Sequence, residues 1–205
     1  IDAPASGLTN TYSIAFDGTN DHITTPDAKQ SVDNATTSFW FKSNKTSGFQ
    51  LVFSKGHTTW YIGTFNNKIY AKWAGTGGGT SGGTDVCDDN WHHHVIVFAG
   101  GHGVASEVRH YMDGSLEDTL STNTLTYTLG AGVWSIGHFT DSNHFIGNMD
   151  EVAIWEGTEL DADAIAAIYN SGTPTDLKTD SGDYDNSGDL SHWWRMGDGD
   201  SHPTI

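Results

Sequence analysis

The segment Gly147 to Trp155, GNMDEVAIW, limits the possible folds more than any other stretch of this chain. With the two-residue period of a strand, Val152 and Ile154 fall on one face and Met149, Ala153 and Trp155 on the other. Both faces therefore carry apolar groups, as a strand inside a layered sandwich requires. Asp150 falls in phase with Val152 and Ile154, so its carboxylate is expected to point toward the core side at the strand end. An unpaired charge is costly there. With 9 Lys plus Arg against 26 Asp plus Glu, a bound cation is the expected partner rather than a salt bridge.

Other segments repeat the pattern. Tyr12 to Phe16 alternates, and DGTND, Asp17 to Asp21, is a turn leading into His22 to Thr25, which reads as a first hairpin. Thr36 to Lys42 places Phe39 and Phe41 on one face and Trp40 on the other. Shorter strands are expected at Gln50–Ser54, Thr59–Thr64 and Lys68–Trp73. The glycine-rich stretch Gly75 to Gly83 has too little side chain to pack and reads as a mobile loop. A phosphate cradle is the functional alternative, which the absence of a following lysine and helix pattern disfavours. Strands then recur at Trp91–Phe98, Glu107–Asp113, Leu116–Ser121, Val133–Phe139 and Phe145–Trp155, with Asp113-Gly114 as a two-residue hairpin turn. One helix interrupts them. In LDADAIAAIYNSGTP, Asp161 can cap, Ile165, Ile168 and Tyr169 form a stripe, and Gly172 with Pro174 ends the element.

Composition narrows function. A 205-residue chain with a 36% hydrophobic fraction can be one large all-β domain or two small ones, and its 25 Gly point to short strands joined by tight turns. The formal charge of −17 excludes phosphate-backbone binding and so a nucleic-acid partner. It fits a salty, divalent-rich medium in which carboxylates are screened. The single cysteine, Cys87, allows no intrachain disulfide. No apolar run reaches the roughly 18 residues of a membrane span, and Ile1 begins without a signal-peptide pattern.

Seven landmarks fall in order: YSIAFDGTNDHI, TTSFWFK, WHHHVIVF, HYMDG, VWSIGH, GNMDEVAIW and LDADAIAAIYNSG. The series resembles the laminin-G-like, pentraxin-like domains of the concanavalin A-like lectin/glucanase superfamily across nearly all of residues 10–172. The resemblance implies an all-β, two-sheet antiparallel jelly-roll sandwich with one short helix, a single domain over residues 1–205. LSHWWRMGDGDS looks like the strand that usually opens this family's domain, so either the domain is permuted, with residues 190–205 as a closing or donated strand segment, or a next repeat begins at about Leu190. The acidic composition together with WWRMGDGD and AIAAIYNSG also resembles structural and fibre proteins of marine tailed phages.

The resemblance further implies a structural Ca²⁺ between the first turn and the last strand, held by Asp17 and Asp150 with carbonyls near Asn20 and His22. Trp60, Trp73, Trp134 and Trp193 are candidates to stack sugars, and eight Trp in one sandwich make core positions the competing reading. The cluster Asp183, Asp185, Ser187, Gly188, Asp189 matches half of an EF-hand loop, but Trp194 stands where the bidentate Glu belongs. In His92-His93-His94 only the outer two can share a strand face, so no zinc site is expected. The superfamily's glucanases carry a closely spaced acidic triad that Asp150, Glu151 and Glu156 do not reproduce in phase, so no enzymatic activity is expected. The expectation is a non-catalytic, lectin-like domain that binds glycans or surface proteins outside the cell. The alternative is a structural, decoration or fibre subunit of an extracellular or virion assembly, joined by self-assembly of identical copies, with no membrane insertion.

Overall fold

The computed structural model describes residues 10–25, 33–55, 60–73, 79–80, 83–100, 107–121, 133–138 and 143–198. The first half of the chain forms β1 (Ile14–Asp17), β2 (Ile23–Thr24), β3 (Ala35–Lys42), β4 (Phe49–Lys55), β5 (Trp60–Phe65), β6 (Lys68–Trp73) and β7 (Gly79–Thr80). The second half forms β8 (His92–Ala99), β9 (Glu107–Met112), β10 (Ser115–Ser121), β11 (Trp134–Ile136), β12 (Ile146–Glu156), helix α1 (Ala162–Tyr169) and β13 (His192–Trp194). The strands pair antiparallel into two sheets. One has the order β1-β12-β3-β8-β9-β10 with β13 also on β12, and the other has the order β2-β11-β4-β5-β6-β7. This is the expected antiparallel jelly-roll sandwich with one short helix. Of the glycine-rich stretch, Gly79–Thr80 pairs with Tyr70–Ala71, and most of the remainder lies outside the described residues.

Alternation dictates the core. Phe39 and Phe41 of β3, Trp60 and Ile62 of β5, Ile96 and Phe98 of β8 and Trp134 of β11 all turn inward between the sheets. Their rings interlock, with Trp60 4.9 Å from Phe98 across the sandwich and 5.2 Å from Trp134 beside it. The opposite face of the larger sheet is apolar as well. Val95, Val97, Tyr111, Ala153 and Trp155 are covered by Leu160, Ile165, Ile168, Leu177 and Tyr184. That cover explains why β3, β8 and β12 carry apolar groups on both faces. Asp161 caps α1 by accepting from the Ala164 N–H at 2.8 Å. The helix ends at Asn170, in the left-handed region at φ 46°, two residues before the expected Gly172. Among the described residues, no helix is long and apolar enough to cross a membrane.

Two local expectations are corrected. The Asp17–Asp21 turn does not close a hairpin, because β1 pairs with β12 in one sheet and β2 with β11 in the other. It is a corner between layers, and a short polar turn looks the same in either role. The phase of β12 also changes midway. Asp150 lies opposite Trp40 but Ala153 lies opposite Ser38, so β12 has one more residue than β3 across that interval, and Glu151 takes a φ of 49°. This β-bulge puts Met149 with Val152 and Ile154 in the inter-sheet core. It turns Asp150 to the outer side, beside Trp40, rather than into the core.

Two polar features tie layers together. Lys55 of β4 meets Glu156 of β12 at 2.7 Å with each side chain 1% exposed, and its Nζ lies 4.6 Å from the Trp134 ring centroid. The chain's first and last described stretches also meet. β13 pairs with Val152–Ile154 of β12, on the edge whose other end takes β1. Asp198 then accepts the Thr11 and Tyr12 N–H groups at 2.6 and 2.7 Å.

Candidate functional site

The outward phase of β4, β5 and β6 builds an aromatic groove on the smaller sheet. In β5, Trp60, Ile62 and Thr64 point inward, so Tyr61, Gly63 and Phe65 point out. Tyr70 lies opposite Gly63, and Phe49 lies opposite Phe65. Gly63 makes the groove possible. A Cβ there would sit 2.3 Å from the Gln50 carbonyl oxygen and 3.0 Å from Phe49 Cζ, so its absence lets the Phe49 ring lie over the strand. Tyr61 and Tyr70 stack at 5.9 Å, and Phe49 meets each of them edge-on at 5.8 Å. Phe65, 44% exposed, extends the surface. With Asn143 these rings line a groove of about 390 Å³. Burial, with the neighbouring Tyr70 charge and hydroxyl, pushes the Tyr61 phenol up to about 12. The Tyr61 phenol is therefore neutral at physiological pH and can donate as well as accept hydrogen bonds.

The second depression lies at the β12 bulge. Tyr12, Trp40, Trp91, Asp150 and Pro174 are among the residues lining a cleft of about 310 Å³. Asp150 accepts the Glu151 N–H at 2.8 Å and a side-chain hydrogen bond from Asn10. Burial pushes its carboxyl up to about 6, and the nearby Asp198 adds to the effect. Glu151 accepts from Trp193 Nε1 at 2.6 Å and from Arg195 Nε at 3.4 Å. Burial and the adjacent Asp150 nonetheless push Glu151 up to about 7.

The residues assigned to one calcium site divide into two places. Asp17, Asn20 and His22 share the exposed corner, where the Asp17 carboxylate accepts the Thr19 N–H at 2.7 Å and His22 Nδ1 lies 2.9 Å from the Asn20 carbonyl oxygen. Asp21 contributes a second carboxylate, which accepts the Asp17 N–H at 2.9 Å. Asp150 is elsewhere. Asp17 lies opposite Ile146, four residues along β12 from Asp150, a separation of about 13 Å at ~3.3 Å per residue. A single ion joining Asp17 to Asp150 does not fit this register. Among the described residues, no three His, Cys, Asp or Glu side chains converge as a ligand set.

The sugar-stacking candidates are also relocated. Trp60 and Trp134 are core residues, 1% and 0% exposed. Trp193 packs against the covered face of the larger sheet and donates to Glu151. The Trp73 backbone lies opposite Trp60, and its side chain lies outside the described residues. Among the described residues, the most exposed aromatics are Tyr12, Phe65 and Trp91. Of the histidine triplet, His93 contacts Ser38 Oγ at 2.7 Å, and His94 Nδ1 lies 3.1 Å from His110 Nε2. Burial depresses His93 to about 3 and His110 to about 4. Glu156, the last member of the acidic run, is committed to Lys55.

Residues 17–166 match the family model Laminin_G_3, described as the concanavalin A-like lectin/glucanases superfamily. No curated protein matches the sequence. Solved structures with this fold include a native heptameric SAP-like pentraxin from Limulus polyphemus, 15% identical with a TM-score of 0.62, covering 77% of this chain and 81% of that one. A putative carbohydrate binding protein from Bacteroides ovatus is 12% identical with a TM-score of 0.66, covering 92% of this chain and 52% of its own. The present chain thus spans about half of the Bacteroides protein. Domain 4 of AbnA, a GH43 extracellular arabinanase from Geobacillus stearothermophilus, was solved with arabinotriose. It is 17% identical with a TM-score of 0.59, covering 75% of this chain and 74% of that one. At these identities the likeness is one of fold.

Proposed function

The chain belongs to a laminin G family of the concanavalin A-like lectin/glucanases superfamily, and from that premise we propose that it is a non-catalytic binding domain for a neutral oligosaccharide. The groove of Phe49, Tyr61, Phe65 and Tyr70 carries the reading. Sugar rings present apolar C–H faces and a rim of hydroxyls. The groove answers with aromatic faces, two phenols and the Asn143 amide. A net charge of −17 disfavours acidic glycans. An extracellular or virion-surface setting belongs to the same proposal and rests on the acidic composition. On a glycan array the wild type is expected to retain a family of neutral oligosaccharides, and Tyr70→Ala is expected to weaken them roughly 2- to 10-fold. An array on which Tyr70→Ala matches the wild type would refute the assignment.

Calcium enters this proposal at the Asp17 corner alone. Asp17, Asp21 and the Asn20 carbonyl are a partial oxygen set, which leaves the rest of a six- to eight-oxygen shell to water. Binding is therefore expected to be weak, on the order of 0.1–1 mM. Calcium at about ten times its Kd should add ~1.4 kcal/mol of stability, reversed by EDTA and absent in Asp17→Asn. Thermal melts check this, and an undiminished shift in Asp17→Asn would move the ion elsewhere.

A further inference from the structure

The cleft at the β12 bulge is separate from the aromatic groove, and its chemistry is different. Its charged lining residue is Asp150, 6% exposed. Around it stand Glu151 and Asp198, also buried, and one guanidinium, Arg195, which is engaged with Glu151 at 3.4 Å. Among the described residues, Arg195 is the cation recorded against both Asp150 and Glu151. The partners found for Asp150 are the Glu151 N–H and the Asn10 side chain, both neutral donors, whereas a carboxylate has about four lone-pair sites. A buried negative charge in this setting is stabilised when a cation is brought to it. The cleft walls decide which kind. Trp91 and Tyr12, 40% and 63% exposed, flank the opening, and Trp40 lies beside Asp150. Asn10, Thr11 and Ser13 add neutral polar groups to the lining, but Asp150 is its one carboxylate, a poor set for a hard metal ion, which needs six or more oxygens. Aromatic rings do attract an organic cation through their negative π-faces.

We propose that this cleft binds an organic ammonium group, with Asp150 as the counter-ion and Trp91, Trp40 and Tyr12 as its aromatic walls. A volume of about 310 Å³ admits either an amino sugar or the end of a lysine side chain. The shared chemistry is the ammonium, and the experiment separates the two sources.

Calorimetric titrations at pH 7 and ~150 mM NaCl, where exposed charges are screened, would use glucosamine, Nα-acetyl-lysine methylamide and, as a neutral control, N-acetylglucosamine. Saturable binding of glucosamine alone identifies an amino-sugar site. Binding of the lysine derivative alone identifies a protein ligand, and binding of both identifies a general ammonium site. In each case Asp150→Asn is expected to weaken binding about tenfold or more, and Trp91→Ala roughly 2- to 30-fold. Trp91 is exposed, so that variant tests the site even if Asp150→Asn unfolds. Failure of both ammonium probes, equal affinity for N-acetylglucosamine, or binding unchanged in both variants would overturn the proposal.

Discussion

Glu151 occupies a constrained position in β12. It sits in the bulge at positive φ, buried, with Trp193 and Arg195 as donors and Asp150 as its neighbour. Its carboxyl titrates at about 7 in the fold, against an ordinary 4.5. The folded state therefore holds this proton more tightly than the unfolded chain. That contribution to stability is complete below about pH 4.5 and is lost as pH rises through 7. Glu151→Gln cannot titrate, so its unfolding free energy should gain on the wild type between pH 5 and pH 8, on the order of 2 kcal/mol, as measured by denaturant unfolding. A constant gap across that range would contradict the assignment. The Lys55–Glu156 pair permits a second test. Lys55→Met strands a carboxylate between the sheets and should cost about 3–5 kcal/mol, whereas adding Glu156→Leu should recover most of the loss. Denaturant unfolding of the single and double variants measures this.

At the scale of elements, most strands were legible from alternation because both sheets have a clear inside. The bulge in β12 was not. One extra residue leaves no mark in a hydrophobic pattern, yet it decides that Asp150 faces the cleft instead of the core. The Asp17 corner was misread as a hairpin for a related reason, since a short polar turn does not record which sheet each flanking strand joins. The groove is legible in the strand phases. In WYIGTF and KIYAKW the inward phase is fixed by Ile62, Ile69 and Ala71, which leaves Tyr61, Phe65 and Tyr70 outward. Tryptophan is a poor guide to the exposed rings here, because the largest, Trp60 and Trp134, fill the core. Gly63 gives this element its own test. Gly63→Ala drives a Cβ against the Gln50 carbonyl and the Phe49 ring. It should cost roughly 1–3 kcal/mol of stability, and it should weaken oligosaccharide retention in proportion to the displacement of Phe49. Melts and array signals on the same preparation check both.

For the whole molecule, the division of roles follows from which faces are covered. The larger sheet is sealed on its outer face by α1 and the segment carrying Leu177 and Tyr184. The smaller sheet presents its outer aromatics to solvent. Recognition is therefore assigned to the uncovered sheet, while the bulge end of the covered sheet holds the charged cleft. The measurement that bears most directly on this assignment is amide chemical-shift mapping with the tightest neutral oligosaccharide from the array. Perturbations confined to β4–β6, centred on Phe49, Gly63, Phe65 and Tyr70, are the predicted result. Perturbations centred on Tyr12, Trp91 and Asp150, or on neither face, would contradict it.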